Sequence, residues 1–95
     1  MDGLIVLQPH ANQIINGQKK TEFRNKMPPE DKINTPLYLL SSGYALGKFK
    51  IAGFGRGKTN YRYGWRIKVI KKFSTPKKYK HLMGAQIWVK NVKLI

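Results

Sequence analysis

The sequence predicts one small α+β domain over residues 1–95, with about five to six strands and one or two short helices. Three observations predict it. Short apolar or alternating runs rich in β-branched and aromatic residues recur along the chain, separated by Gly, Pro and Asn. Only one segment, after Pro9, combines helical spacing of apolar residues with a start and a stop signal. Ninety-five residues, 41% of them hydrophobic, suffice for one modest core and not for two.

Leu4 to Gln8 (LIVLQ) is apolar and β-prone, so it reads as a buried strand. Pro9 opens a helix of about two turns whose apolar positions are Ala11, Ile14 and Ile15, and Gly17 is placed to stop it. Lys19 to Arg24 (KKTEFR) reads as a strand with Lys20, Glu22 and Arg24 on one face. Asn25 to Pro36, with three prolines, is a loop. PLYLLSS forms a third strand and GKFKIAGF a fourth. In YRYGWRIKVI, Tyr61, Tyr63, Trp65, Ile67 and Val69 alternate with Arg62, Gly64, Arg66 and Lys68, which places the aromatic row in the core. Lys77 to Met83, after Pro76, reads as a basic segment of one helical turn. QIWVKNVKLI closes the chain as a strand whose parity changes near Lys90 and Asn91, the mark of a bulge.

The net charge is +15, and its distribution is one-sided. All four acids (Asp2, Glu22, Glu30, Asp31) lie in the first third, whereas fifteen Lys or Arg and no Asp or Glu follow from Lys32 onward. Charge that serves solubility alone mixes both signs. Charge of one sign over most of a small domain implies an anionic partner, nucleic acid before an acidic membrane or protein. No apolar run reaches the ~20 residues of a membrane helix, so no membrane partner is expected. With no cysteine and no signal-like start, a cytoplasmic location is expected.

AGFGRGKT (Ala52–Thr59) is one glycine short of a phosphate-binding loop. Such a loop must lead into a helix, yet the segment that follows is the most strongly alternating strand in the chain, and no acid stands downstream to hold magnesium. The glycines suit a hairpin turn with positive φ. His10 and His81 lie far apart and no residues have metal-ligand spacing, so neither a metal nor a cofactor is expected. Ser41 and Ser42 lack a nucleophile context. Glu22, alone among the acids inside a strand, is either part of a surface charge cluster or the floor of a cleft where it orients Arg24. Tyr44, Phe73 and Tyr79, near loops among Lys and Arg, are the candidates for base stacking.

LIVLQPHANQIINGQKKTEFRNKMP resembles the opening of the ASCH domain family, a branch of the PUA-like superfamily, with Gly17, Lys19, Glu22, Phe23 and Arg24 matching without a gap. PLYLLSSG, GKFKIAGF, YGWRIKVIKKFSTPKKY and AQIWV are similar to later family segments in the same order. The resemblance implies a small mixed β-barrel with a cleft beside the Lys-x-x-Glu-x-Arg strand, in a bacterial, archaeal or phage protein that binds or processes RNA. In the amidohydrolase branch that acts on acylated cytidine, Glu22 stands at the place of a Thr and no downstream carboxylate completes the site. A ribonuclease is therefore the better enzymatic alternative, and a basic protein-interaction module is a third. The leading expectation is RNA binding, with Lys19, Lys20 and Arg24 on phosphates, Glu22 orienting Arg24, and Ser41, Ser42 and Tyr44 lining the cleft. Lys71, Lys72, Lys77 and Lys78 extend the basic footprint.

Overall fold

A computed structural model describes residues 1–81, 84 and 87–95. Its elements run β1 (Gly3–Ile5), α1 (His10–Ile15), β2 (Thr21–Arg24), a 3-10 turn (Glu30–Lys32), β3 (Leu37–Ser41), β4 (Tyr44–Arg56), β5 (Tyr63–Lys78) and β6 (Trp88–Val89). One six-stranded mixed sheet results, in the order β2-β5-β4-β3-β1-β6, with β1 and β3 parallel and the other pairs antiparallel. It curls into a half-barrel with one short α-helix, the α+β architecture the sequence predicts.

The helix starts where Pro9 and the Gln8 side chain allow it: Gln8 Oε1 accepts the Asn12 N–H at 3.0 Å, satisfying one orphan donor of the first turn. It stops at Gly17, whose φ of 78° is the left-handed conformation glycine adopts without steric cost. Ala11, Ile14 and Ile15 then face the concave side of the sheet. There they join Leu4, Val6, Leu37, Leu39, Phe49, Ile51 and Trp65 in the main core. Each fully buried Leu, Ile or Phe in that set contributes about 1.5–3 kcal/mol.

A second cluster lies on the opposite face: Leu40, Ala45, Phe73, Tyr79 and Val89, joined by Ile5, Tyr38, Val92 and Leu94. The C-terminal tail closes over it, with Tyr79 bridged to Leu94 and the Ile95 N–H donating to the Lys78 carbonyl at 2.9 Å. Burial pushes the Tyr79 hydroxyl above its ordinary pKa. Phe73 and Tyr79, 6% and 4% exposed, are thus packing residues rather than stacking platforms.

Several local expectations change with the tertiary structure. The Lys77–Met83 segment is not a helical turn over its described part: Lys77 and Lys78 end β5 and Tyr79 makes a β-bridge, while Leu82 and Met83 lie outside the described residues. Pro76 is accommodated because Ala45 and Gly47 of β4 pair with Lys77 and Lys72, so Phe73 to Pro76 bulge out of the ladder. The closing strand is only Trp88–Val89. Instead of a bulge, a turn follows it at Asn91 (φ 51°), and Gln86 lies outside the described residues.

AGFGRGKT does link two strands, β4 and β5, as a hairpin. At the turn itself the glycine requirement is steric, since a Cβ on Gly57 would lie 2.2 Å from the Tyr61 carbonyl oxygen, and the positive φ falls earlier, at Gly53 (158°) within β4. The true positive-φ hairpin is Ser42-Gly43 (φ 52° and 85°), a two-residue turn joining β3 to β4.

Candidate functional site

The curl of the sheet brings its two ends together without pairing them. β2, at one end, faces β1 and the residues entering β6 at the other, and an Arg24 guanidinium nitrogen lies 3.5 Å from the Ile5 carbonyl oxygen. Deeper in the same seam, Trp65 of β5 stacks on Trp88 of β6 with ring centroids 6.2 Å apart, and the Trp65 indole N–H donates to the Lys26 carbonyl at 2.9 Å. A cavity of about 460 Å³ opens along this seam. Ile5, Val6, Leu7 and Ile87 form one wall, Phe23 and Tyr61 the other, and Glu22, Lys19, Arg24 and His10 supply its polar groups.

Glu22 lies at the centre of those polar groups. It pairs with Trp65 across the β2–β5 ladder and therefore points to the buried side, leaving the residue 6% exposed. One carboxylate oxygen accepts from Lys19 Nζ at 3.0 Å, and the other accepts from Arg24 Nε at 3.1 Å and lies 2.9 Å from Arg24 Nη2. Arg24 also lies over the Trp65 ring, 5.6 Å from its centroid, and Lys19 Nζ is 3.3 Å from His10 Nδ1. A buried carboxylate without partners would be costly, so this arrangement fixes two cations that flexible side chains would otherwise leave mobile. Of the two sequence readings of Glu22, the geometry is that of the buried floor.

The structure separates the other sequence-predicted residues from this cavity. Lys20 is exposed and holds its neighbour through its backbone, accepting the Ile67 N–H at 2.9 Å. It is Lys19, just before β2 begins, that turns in. Ser41 is buried, Ser42 forms the hairpin turn and Tyr44 follows it, and none of the three is among the cavity-lining residues. Lys71, Lys72, Lys77 and Lys78 are exposed on β5 and likewise do not line it; Lys72 bonds to Asn16, and Lys77 lies over the Phe73 ring at 4.8 Å. Tyr61, expected in the core row, is 47% exposed and forms the cavity rim with Phe23, its ring 6.3 Å away. Its position follows from the hairpin: the Tyr61 N–H donates to the Lys58 carbonyl, so the alternation of β5 begins only after it.

Among the described residues, no group of three or more His, Cys, Asp or Glu could hold a metal ion, and no helix is long and apolar enough to cross a membrane. The chain matches no protein-family model and no curated protein.

Proposed function

We propose that the protein binds nucleic acid, RNA above all, and that the seam cavity accepts a nucleobase while Lys and Arg outside it contact the backbone. One observation carries this reading: the buried Glu22 carboxylate holding Lys19 and Arg24 beneath largely apolar walls. A phosphate placed directly on that floor would meet a fixed negative charge. A flat heterocycle suits it better, burying its faces between Ile5–Leu7 and Tyr61 and turning its polar edge to Arg24 and Lys19. The one-sided charge of +15 then serves the phosphates that continue outside. The ordered resemblance to the ASCH family supports the same reading and comes with it as part of the proposal.

RNA cleavage is the second reading, favoured by one contact, the His10–Lys19 pair at the cavity. A histidine next to an ammonium and a carboxylate is a general acid–base set that needs no metal.

The test is binding of a short single-stranded RNA at fixed salt, comparing Arg24→Ala with the exposed control Lys93→Ala. Loss of a base-contacting Arg costs about 1–3 kcal/mol, roughly 5- to 150-fold in affinity. Equal affinity of the two variants, at equal folded fraction, removes the cavity from the binding surface. Recovery of intact RNA after prolonged incubation separates the binder from the nuclease.

A further inference from the structure

The outward face of the two long central strands carries cations in direct cross-strand register. Lys50 of β4 pairs with Lys68 of β5, and Lys48 with Lys71. Their inward neighbours confirm the orientation: Phe49 pairs with Val69 and Ile51 with Ile67, all on the core side. Arg66, one step further along β5, lies flat over β4, because Gly53 opposite it has no side chain; a Cβ there would sit 2.2 Å from Arg66 Nη2. On the other flank, Lys48 Nζ lies 5.9 Å from the centroid of the Tyr38 ring of β3.

Like charges directly opposite on antiparallel strands destabilise a sheet. Among the described residues no carboxylate relieves them. Every salt bridge among the described residues involves Lys19, Arg24 or Lys32, and none reaches Lys48, Lys50, Arg66, Lys68 or Lys71. Lysines often guard an exposed sheet edge against pairing with another chain, but β4 is an interior strand between β5 and β3, so its lysines guard no edge.

We infer that this lysine ladder is a phosphate-binding track for a nucleic-acid backbone, distinct from the seam cavity and supplying most of the affinity while the cavity supplies the selectivity. The inference rests on the nucleic-acid reading above. A backbone is the occupant that fits, because its charges repeat along a line as the ladder's do, and a bound strand offsets the repulsion that the free protein carries. A lipid surface fits less well: interfacial binding buries apolar side chains, and of the large hydrophobic residues along this stretch of β5 only Ile70 is exposed (49%). The polar floor of the cavity and the ladder lie on opposite faces of the sheet, since Glu22 pairs with inward Trp65 and Thr21 with outward Arg66; only the Phe23–Tyr61 rim shares the ladder's face. Their contributions are therefore separable by mutation.

The experiment measures the affinity of a single-stranded RNA of about twenty nucleotides against salt, for wild type, the ladder variant Lys48→Gln/Lys50→Gln/Lys68→Gln, and the charge-matched control Lys80→Gln/Lys90→Gln/Lys93→Gln. At about 0.7 per phosphate contact, the log–log slope of the ladder variant should be shallower by roughly 2, and that of the control by much less. Thermal midpoints should be unchanged or higher in the ladder variant, because it loses like-charge pairs. Equal slopes for ladder and control overturn the track but leave the nucleic-acid reading standing. Failure of wild type to bind RNA at low salt overturns both. Vesicles containing phosphatidylserine form a third arm: capture by wild type that the ladder variant loses, with RNA slopes equal, assigns the face to lipid and also overturns the track.

Discussion

Replacing Glu22 by Ala removes the group that organises the seam, and its cost can be worked from the contacts. Two ion pairs are lost, at 3.0 Å to Lys19 and 2.9 Å to Arg24, from a carboxylate whose side chain is 8% exposed. Hydrogen bonds to charged groups contribute about 1.5–3 kcal/mol each, and breaking a fully buried pair costs about 3–5 kcal/mol. The cations left behind are not fully buried. Their side chains are 20% and 22% exposed, so both recover part of their hydration, and Arg24 keeps its place over Trp65. The balance is a loss of about 2 kcal/mol, or roughly 8–16 °C in the thermal midpoint of a domain this size. Glu22→Gln, which keeps an acceptor for Lys19 but loses the charge, should lose about half as much. Urea unfolding of both variants and of the Glu22→Ala/Arg24→Ala pair is the assay. In the double-mutant cycle the combined loss should be smaller than the sum of the single losses, because both remove the same contact. A Glu22→Ala loss below about 0.5 kcal/mol, as for an exposed ion pair, would refute the reasoning and return Glu22 to the surface.

Three further outcomes are expected. Asp2 accepts the Asn91 N–H and the Lys32 ammonium, both at 2.9 Å, which hold its carboxyl below the usual range. Its contribution is complete above the unfolded value of about 3.9 and is lost as pH falls through the lower folded value. Asp2→Asn should therefore unfold at lower urea than wild type at pH 7, with the gap closing as pH falls below the ordinary carboxylate range; a constant gap contradicts the linkage. Lys32, raised by the same pair and by Asp31, contributes below its unfolded value and loses that contribution only in strong base. Gly57→Ala forces a Cβ against the backbone of Tyr61 and Tyr63 and should cost about 1–3 kcal/mol, whereas Lys58→Ala should leave the thermal midpoint unchanged and neither protein should hydrolyse ATP. Since Arg24 lies over Trp65, a ligand that engages Arg24 should change indole fluorescence in wild type and not in Arg24→Ala, and an identical titration in both would place the ligand elsewhere.

What the sequence determined by itself is the local structure. Pro9 and Gly17 bracket the helix because their backbone preferences act within one or two residues, and the alternation from Tyr63 to Val69 marks a strand because one face must be buried. The charge asymmetry and the hairpin after Gly57 were legible for the same reason. The tertiary structure decided everything that depends on how far the sheet curls. Glu22 is a buried floor only because β2 returns to meet β1, and Lys19 reaches it only because β2 begins at Thr21. Phe73 and Tyr79 are buried because the C-terminal tail closes over the outer face, and Tyr61 is exposed because it belongs to the turn. The ladder's like-charge pairs depend on a register that bulges shift between Lys48 and Phe49 and between Ile51 and Gly53. Curl, closure and register are set by contacts between residues far apart in the chain, and a periodicity read over ten residues does not contain them.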